Sequence, residues 1–206
     1  MLVSVFNVLL WRWSNSSDIV VGIPISGRYH RDLEKLIGMF VNVIMLRTRI
    51  TDDASFSDLL DEVNKEFLQS CSNAEIPYSE LVEHLGEGEQ SLFNVSFVMQ
   101  NTGGTQKITL DKDVLLEPYS YDNTMSRNDD LLLEAIDDGE LKFILEYRAD
   151  YFSESSIRIL MDQYNRMLEQ FLLNPMLKLN EIDLLNNEEK QLVLNEFNDS
   201  LEEVIN

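Results

Sequence analysis

Asp18-Ile19-Val20-Val21-Gly22-Ile23-Pro24-Ile25-Ser26-Gly27-Arg28, followed by Leu36-Ile37-Gly38-Met39-Phe40-Val41-Asn42-Val43, decides the fold. Ile19, Val20, Val21, Ile23 and Ile25 are all branched at Cβ, which predicts a buried strand from Asp18 to Ser26. Pro24 has no amide hydrogen to donate, so the strand should end, bulge or lie at an edge there. Gly27 then opens a loop, and a short turn of helix is expected around Arg31–Lys35. Phe40 to Ile50 forms a second apolar run, with Arg47 and Arg49 marking where alternation begins. Two such runs joined by a loop make the start of a sheet.

Working outward, Leu2, Phe6, Leu9, Leu10 and Trp13 recur at helical spacing and predict a core-facing helix over 2–14. The same segment is apolar enough to resemble a signal peptide. Its one basic residue, Arg12, follows the apolar run instead of preceding it, and no small-residue cleavage site is present. Downstream, Ser55 is a good helix cap with Asp58 three positions on. Phe56, Leu59, Leu60, Val63 and Phe67 supply that helix's apolar stripe. Pro77 suits the opening turn of a further helix through Leu85. Strands are expected at 93–100, 107–117, 130–137 and 140–148. Asn101-Thr102-Gly103-Gly104 and Asp138-Gly139 read as hairpin turns. A long helix after Ser153 carries Ile157, Leu160, Met161, Tyr164, Leu168 and Phe171, and stops at Asn174-Pro175. A short helical stretch is expected at 187–197, and the last ten residues are polar and expected to be mobile. Helices interspersed with strands predict an α/β (α+β) fold, a mixed sheet flanked by helices.

The 206 residues carry 37 acidic and 16 basic side chains, a formal net charge of −21. Such a surface repels phosphate backbones, which argues against a nucleic-acid partner. No apolar run is long enough for a membrane span, and a cytoplasmic protein is expected. Two histidines, His30 and His84, and one cysteine, Cys71, make no spaced ligand set, so no metal site is expected. Cys71 reads as an inert helix residue. Ser26 and His30 share a loop without the pattern of a nucleophile and its base. Trp11 and Trp13, two apart on a helix, should face different ways, one into the core. Chemistry-bearing motifs alone reveal no catalytic residue.

Several segments, in order, are similar to those of the condensation domains of nonribosomal peptide synthetases. Asp18 to Arg28 resembles the family's DIVVGTPVAGR strand and loop. Ile37 to Val43 resembles IGxFVNT, with Val43 in place of threonine and Arg47 matching the motif's closing arginine. Asn73 to Tyr78 is similar to HQDxPFE, keeping the proline and an aromatic but with Ser79 at the glutamate. Phe93 to Asn101 resembles FQVMFVLQN, and Asp130 to Glu134 resembles DLTLE. Leu179 to Asn198 resembles the linker toward an adenylation domain. The SRNPL element is eroded to Gly88-Glu89-Gln90-Ser91-Leu92, and the catalytic His-His-x-x-x-Asp-Gly motif has no counterpart in this sequence.

The resemblance implies a chloramphenicol acetyltransferase-like lobe at 1–178 and a linker at 179–206. In the family two such lobes form a V around a tunnel. There the amine of one carrier-tethered aminoacyl group attacks the thioester of another. This chain would supply one wall of the tunnel, with Gly38, Phe40 and Asn42 as wall residues. Asp130, Pro77 and Tyr78 would be structural or lie at the lobe interface. No cofactor would bind directly, since phosphopantetheine is presented by carrier proteins. The implied partners are the amino-terminal lobe, peptidyl carrier proteins and the adenylation domain. A fragment inactive by itself is expected, and its bared interface should promote self-association. A non-catalytic carrier-docking module, or part of an epimerization domain, are the alternatives; the FVN motif and the linker favour condensation.

Overall fold

The computed structural model describes residues 1–28, 30–85, 91–100, 108–111, 114–116 and 129–196. Its centre is a five-stranded sheet. β1 (Asp18–Ile25) runs antiparallel to β2 (Asn42–Arg49), with Gly22 opposite Met45. β3 (Val95–Gln100) pairs in parallel with β1 at Gly22↔Ser96 and with β6 (Leu131–Asp137) along its length. β7 (Leu141–Tyr147) closes the far edge as an antiparallel hairpin partner of β6. The sheet is therefore mixed, as the alternation of helical and strand patterns predicted. Gly139, at φ 107, makes the tight reversal between β6 and β7.

One face of this sheet holds the core. Val21, Leu46, Leu133 and Ala135 are fully or almost fully buried there. They are covered by α1 (Leu2–Ser14), α2 (Phe56–Ser72) and α4 (Glu154–Leu173). Phe6 of α1 meets Phe97 of β3 and Tyr164 of α4, each at 6.5 Å between ring centroids. Phe56 and Phe171 stack at 3.8 Å and join α2 to α4. Burial raises the Tyr164 phenol far above its ordinary range, and the hydroxyl donates to the Leu2 carbonyl. α2 begins with a complete capping box: the Ser55 hydroxyl accepts from the Asp58 amide while the Asp58 carboxylate accepts from the Ser55 amide.

Three sequence expectations need correcting in detail. The buried stripe of α1 is Val5, Phe6, Val8, Leu9 and Trp11, whereas Trp13 is 41% exposed, its indole N–H donating to Gln163. The second apolar run becomes a strand only from Asn42, so Phe40 and Val41 lie in the loop before it. The single strand expected at 107–117 is two short ones, β4 (Ile108–Asp111) and β5 (Val114–Leu116), forming their own two-stranded sheet. Pro24 agrees with the expected edge: it stays in register with Val43 of β2, while the pairing of β1 to β3 reaches no further than Gly22. The expected turn at Asn101–Gly104 and the last ten residues lie outside the described residues. Beyond α4 the chain remains part of the packed body: Leu179 and Ile182 are buried in the core before α5 (Asn187–Gln191) and a π-helical turn at Leu192–Glu196. No helix among the described residues is long and apolar enough to cross a membrane.

Candidate functional site

Strand alternation sends Val20, Gly22, Ser96, Val98, Leu132 and Glu134 to the face opposite the three long helices. That face is covered at Gly22 by a ring: a Cβ on this glycine would collide with the Phe93 side chain. Phe93 in turn lies 5.4 Å from Tyr78, the first residue of α3 (Tyr78–Leu85). The Tyr78 hydroxyl accepts from the Leu92 amide at 3.0 Å, so the ring pair is pinned at both ends. Nearby, the buried Ser96 hydroxyl donates to Asp129 at 2.8 Å.

At the rim of the sheet stands the loop between β1 and β2. Gly27 adopts φ 62, and a Cβ there would run into the Phe40 carbonyl oxygen. This close approach lets the loop fold back on the end of β1. Arg28 then organises it. Its guanidinium donates to the carbonyls of Leu33, Leu36 and Gly38, and its plane sits 4.4 Å from the Phe40 ring centroid. The rigid fork of donors suits arginine and not lysine to this work. What the loop presents outward is apolar. Ile37 is 105% exposed and Met39 87%, with Leu36 and Val41 also exposed.

Asn42 ties this loop to the helices. Its side-chain amide donates to the carbonyls of Ala74 and Ile76, both at 2.9 Å. Its side-chain oxygen accepts from the amides of Val43 and Tyr78. Both donors and the acceptor of the amide group are thus engaged within the chain. Gly38 sits in the exposed loop, and its Cα lies near the Phe40 ring. Gly38, Phe40 and Asn42 are accordingly neighbours, joined through Arg28 and the start of β2. Pro77 directly precedes α3, and its carbonyl accepts from the amides of Glu80 and Leu81. It stands at the start of the helix, its carbonyl taking the first helical hydrogen bond. Asp130 is elsewhere, at the head of β6. It forms an ion pair with Arg148 at 3.5 Å, and its backbone carbonyl accepts from the Arg148 amide.

Ser26 and His30 do not hydrogen-bond to one another: the hydroxyl accepts from the Arg28 amide and the imidazole from the Asp32 amide. Burial pushes the Cys71 thiol up, which suits an unreactive residue. No cluster of potential metal ligands occurs among the described residues. What the arrangement offers is a shaped, largely apolar surface with fixed polar edges. Sequence reasoning overlooked Arg28 as the organiser of the loop and Phe93 as the cover of Gly22. An isolated glycine within a β-branched strand signals a close approach, so Gly22 was the available clue.

The sequence profile described as "Condensation domain" matches residues 1–194. Gramicidin S synthase 2 of Brevibacillus brevis is 34% identical over 203 residues, covering 97% of this chain and 4% of that protein. Tyrocidine synthase 3 of Brevibacillus parabrevis is 33% identical over 205 residues, covering 97% of this chain and 3% of its own length. The chain thus spans a few per cent of the curated relatives it matches. Among solved structures, a four-domain nonribosomal peptide synthetase bound to AMP and glycine superimposes with a TM-score of 0.82 at 24% identity, over 90% of this chain and 15% of that one. The X-domain from teicoplanin biosynthesis gives 0.76 at 21% identity, over 89% of this chain and 43% of its own. These last two likenesses establish the fold.

Proposed function

We propose a role in amide-bond formation for this chain, which belongs to the condensation domain family. It supplies one lobe of a nonribosomal peptide synthetase condensation domain, with residues 1–178 as the lobe and 179–206 leading toward an adenylation domain. The reaction joins two substrates, each tethered through phosphopantetheine to a carrier protein. The amine nitrogen of the acceptor attacks the donor thioester carbon, the carbon–sulfur bond breaks, and the thiolate leaves as the ammonium proton is lost. Held substrates gain chiefly from proximity and orientation, worth up to about 7–11 kcal/mol of barrier. A shaped surface can provide much of that without titratable groups of its own.

The observation that supports this reading is the loop between β1 and β2, which Arg28 holds together and which exposes Leu36, Ile37, Met39 and Val41 at the end of the sheet. A surface of this kind suits one wall of a chamber whose other wall is a second lobe. Gly38 and Phe40 lie on the rim loop of that wall. Asn42 acts behind them, holding the loop to α3, and Asp130 acts within the lobe as the partner of Arg148. The isolated chain is then inactive, because it does not contain the family's paired-histidine motif.

Two assays test this together, using aminoacyl thioesters on carrier proteins and mass spectrometry of the products. The 206-residue chain alone should release no dipeptide. A hybrid in which residues 1–194 replace the matching segment of the gramicidin S synthase 2 condensation domain should condense its substrates. A hybrid that folds, keeps carrier binding and forms no amide bond would overturn the catalytic reading and leave a docking module.

A further inference from the structure

α1 carries two polar side chains into the core. Ser4 and Asn7 are fully buried, in the same helix as the buried Val5, Phe6, Val8 and Leu9. Three positions apart, they share one side of the helix and stand one turn from each other. Asn7 reaches across to β2, where its side-chain amide donates to the Thr48 hydroxyl at 2.8 Å. Thr48 is almost fully buried as well, so that bond is sealed from solvent. Two polar atoms are left over. Among the described residues, the Ser4 hydroxyl and the Asn7 side-chain oxygen have no hydrogen-bond partner, and both atoms are buried. The Thr48 hydroxyl, which accepts from Asn7, has its own hydrogen still to give.

A buried polar atom left unpaired loses its bonds to solvent and gains nothing in return, which costs more than a typical hydrogen bond contributes. Folded proteins therefore pair nearly all such groups. Two orphaned atoms one turn apart call for one molecule that serves both. It must be small, because the side chains around it are close-packed. It must accept from the Ser4 hydroxyl and donate to the Asn7 oxygen, which can only accept. A metal cation has no hydrogen to donate, and it would be buried here beside three uncharged side chains. Water meets every condition. We propose that α1 and β2 enclose a single internal water, which accepts from Ser4 Oγ and donates to Asn7 Oδ1, with the Thr48 hydroxyl as its third partner. About three hydrogen bonds is the usual number for a buried water. The water completes a polar bridge between a helix and a strand inside the apolar core. The alternative is a direct bond, made by turning Ser4 onto Asn7. The site is a property of this chain's interior and stands whether or not the condensation reading does.

The test is oxygen-17 relaxation dispersion on the full 206-residue chain. It counts water molecules held for longer than the protein takes to tumble, and exchanging hydroxyl hydrogens do not contribute. The double variant Ser4→Ala/Asn7→Leu removes both orphaned atoms and fills their space. Its dispersion amplitude should fall by the equivalent of one water molecule, while circular dichroism reports whether the variant keeps its fold. An unchanged amplitude in a folded variant overturns the proposal. If the variant does not fold, a crystal structure of the unaltered chain decides in its place. Density for a water within hydrogen-bonding distance of both Ser4 Oγ and Asn7 Oδ1 supports the site. Direct contact between the two side chains, or two atoms with no density between them, sinks it.

Discussion

At the scale of single residues, the chain places two glycines in left-handed backbone for different reasons. Gly139, at φ 107, has open space where a Cβ would go. Gly27, at φ 62, has the Phe40 carbonyl there. Gly139→Ala should therefore cost the backbone strain alone, about 1–2 kcal/mol. Gly27→Ala adds a collision with main chain that cannot rotate away, for a total of about 2–4 kcal/mol. Urea unfolding followed by tryptophan fluorescence compares the two, and equal losses would show that the loop moves aside freely. The asparagine of the FVN motif is a related lesson. The resemblance implied that Asn42 lines a tunnel, and its residue type suggested directional hydrogen bonding. The partners could not be read locally, because Ala74, Ile76 and Tyr78 are more than thirty residues away.

At the scale of elements, the capping box of α2 was legible because its two members are three residues apart and act through local backbone. The Ser55 hydroxyl, and then the Ser55 amide, hold the Asp58 carboxyl below its ordinary range. A carboxyl so depressed contributes stability that is present above its unfolded pKa of about 4 and is lost as pH falls through the lower folded value. Loss of the N-cap hydroxyl in Ser55→Ala should cost about 1 kcal/mol at pH 7, and because that hydroxyl also depresses Asp58 the penalty should be smaller at pH 2.5. Denaturant unfolding of both proteins across that range measures it, and a penalty that does not shrink with acid would remove Asp58 from the account. Elsewhere the element was legible but its orientation was not. α1 is apolar on so much of its circumference that periodicity identifies a helix without choosing its inward side. Packing against the sheet and α4 made that choice for Val5, Val8 and Trp11. The pairing of β4 with β5 was missed because two strands of three or four residues, two positions apart in sequence, look like one longer run.

At the scale of the molecule, exposed apolar residues cluster in the loop between β1 and β2, at Leu36, Ile37, Met39 and Val41. An exposed apolar patch of this kind suits a contact surface. In the isolated chain a second copy can cover it, opposed by the charge of −21. Self-association should rise with protein concentration and with added salt, which screens that repulsion. Light scattering after size exclusion measures it, and Ile37→Ser/Met39→Ser should reduce it without altering the unfolding midpoint. Association insensitive to those substitutions would place the contact on another surface. The sequence by itself determined the fold class, the family resemblance, the helix caps and the hairpin at Asp138-Gly139, because periodicity, turn chemistry and motif order are properties of near neighbours along the chain. Only the tertiary structure decided that Asn42 grips the α2–α3 turn, that Phe93 covers Gly22, and that Asn7 of α1 reaches Thr48 of β2. Those contacts join segments brought together by burial of the common core, and no local pattern encodes which distant partner a polar side chain will meet.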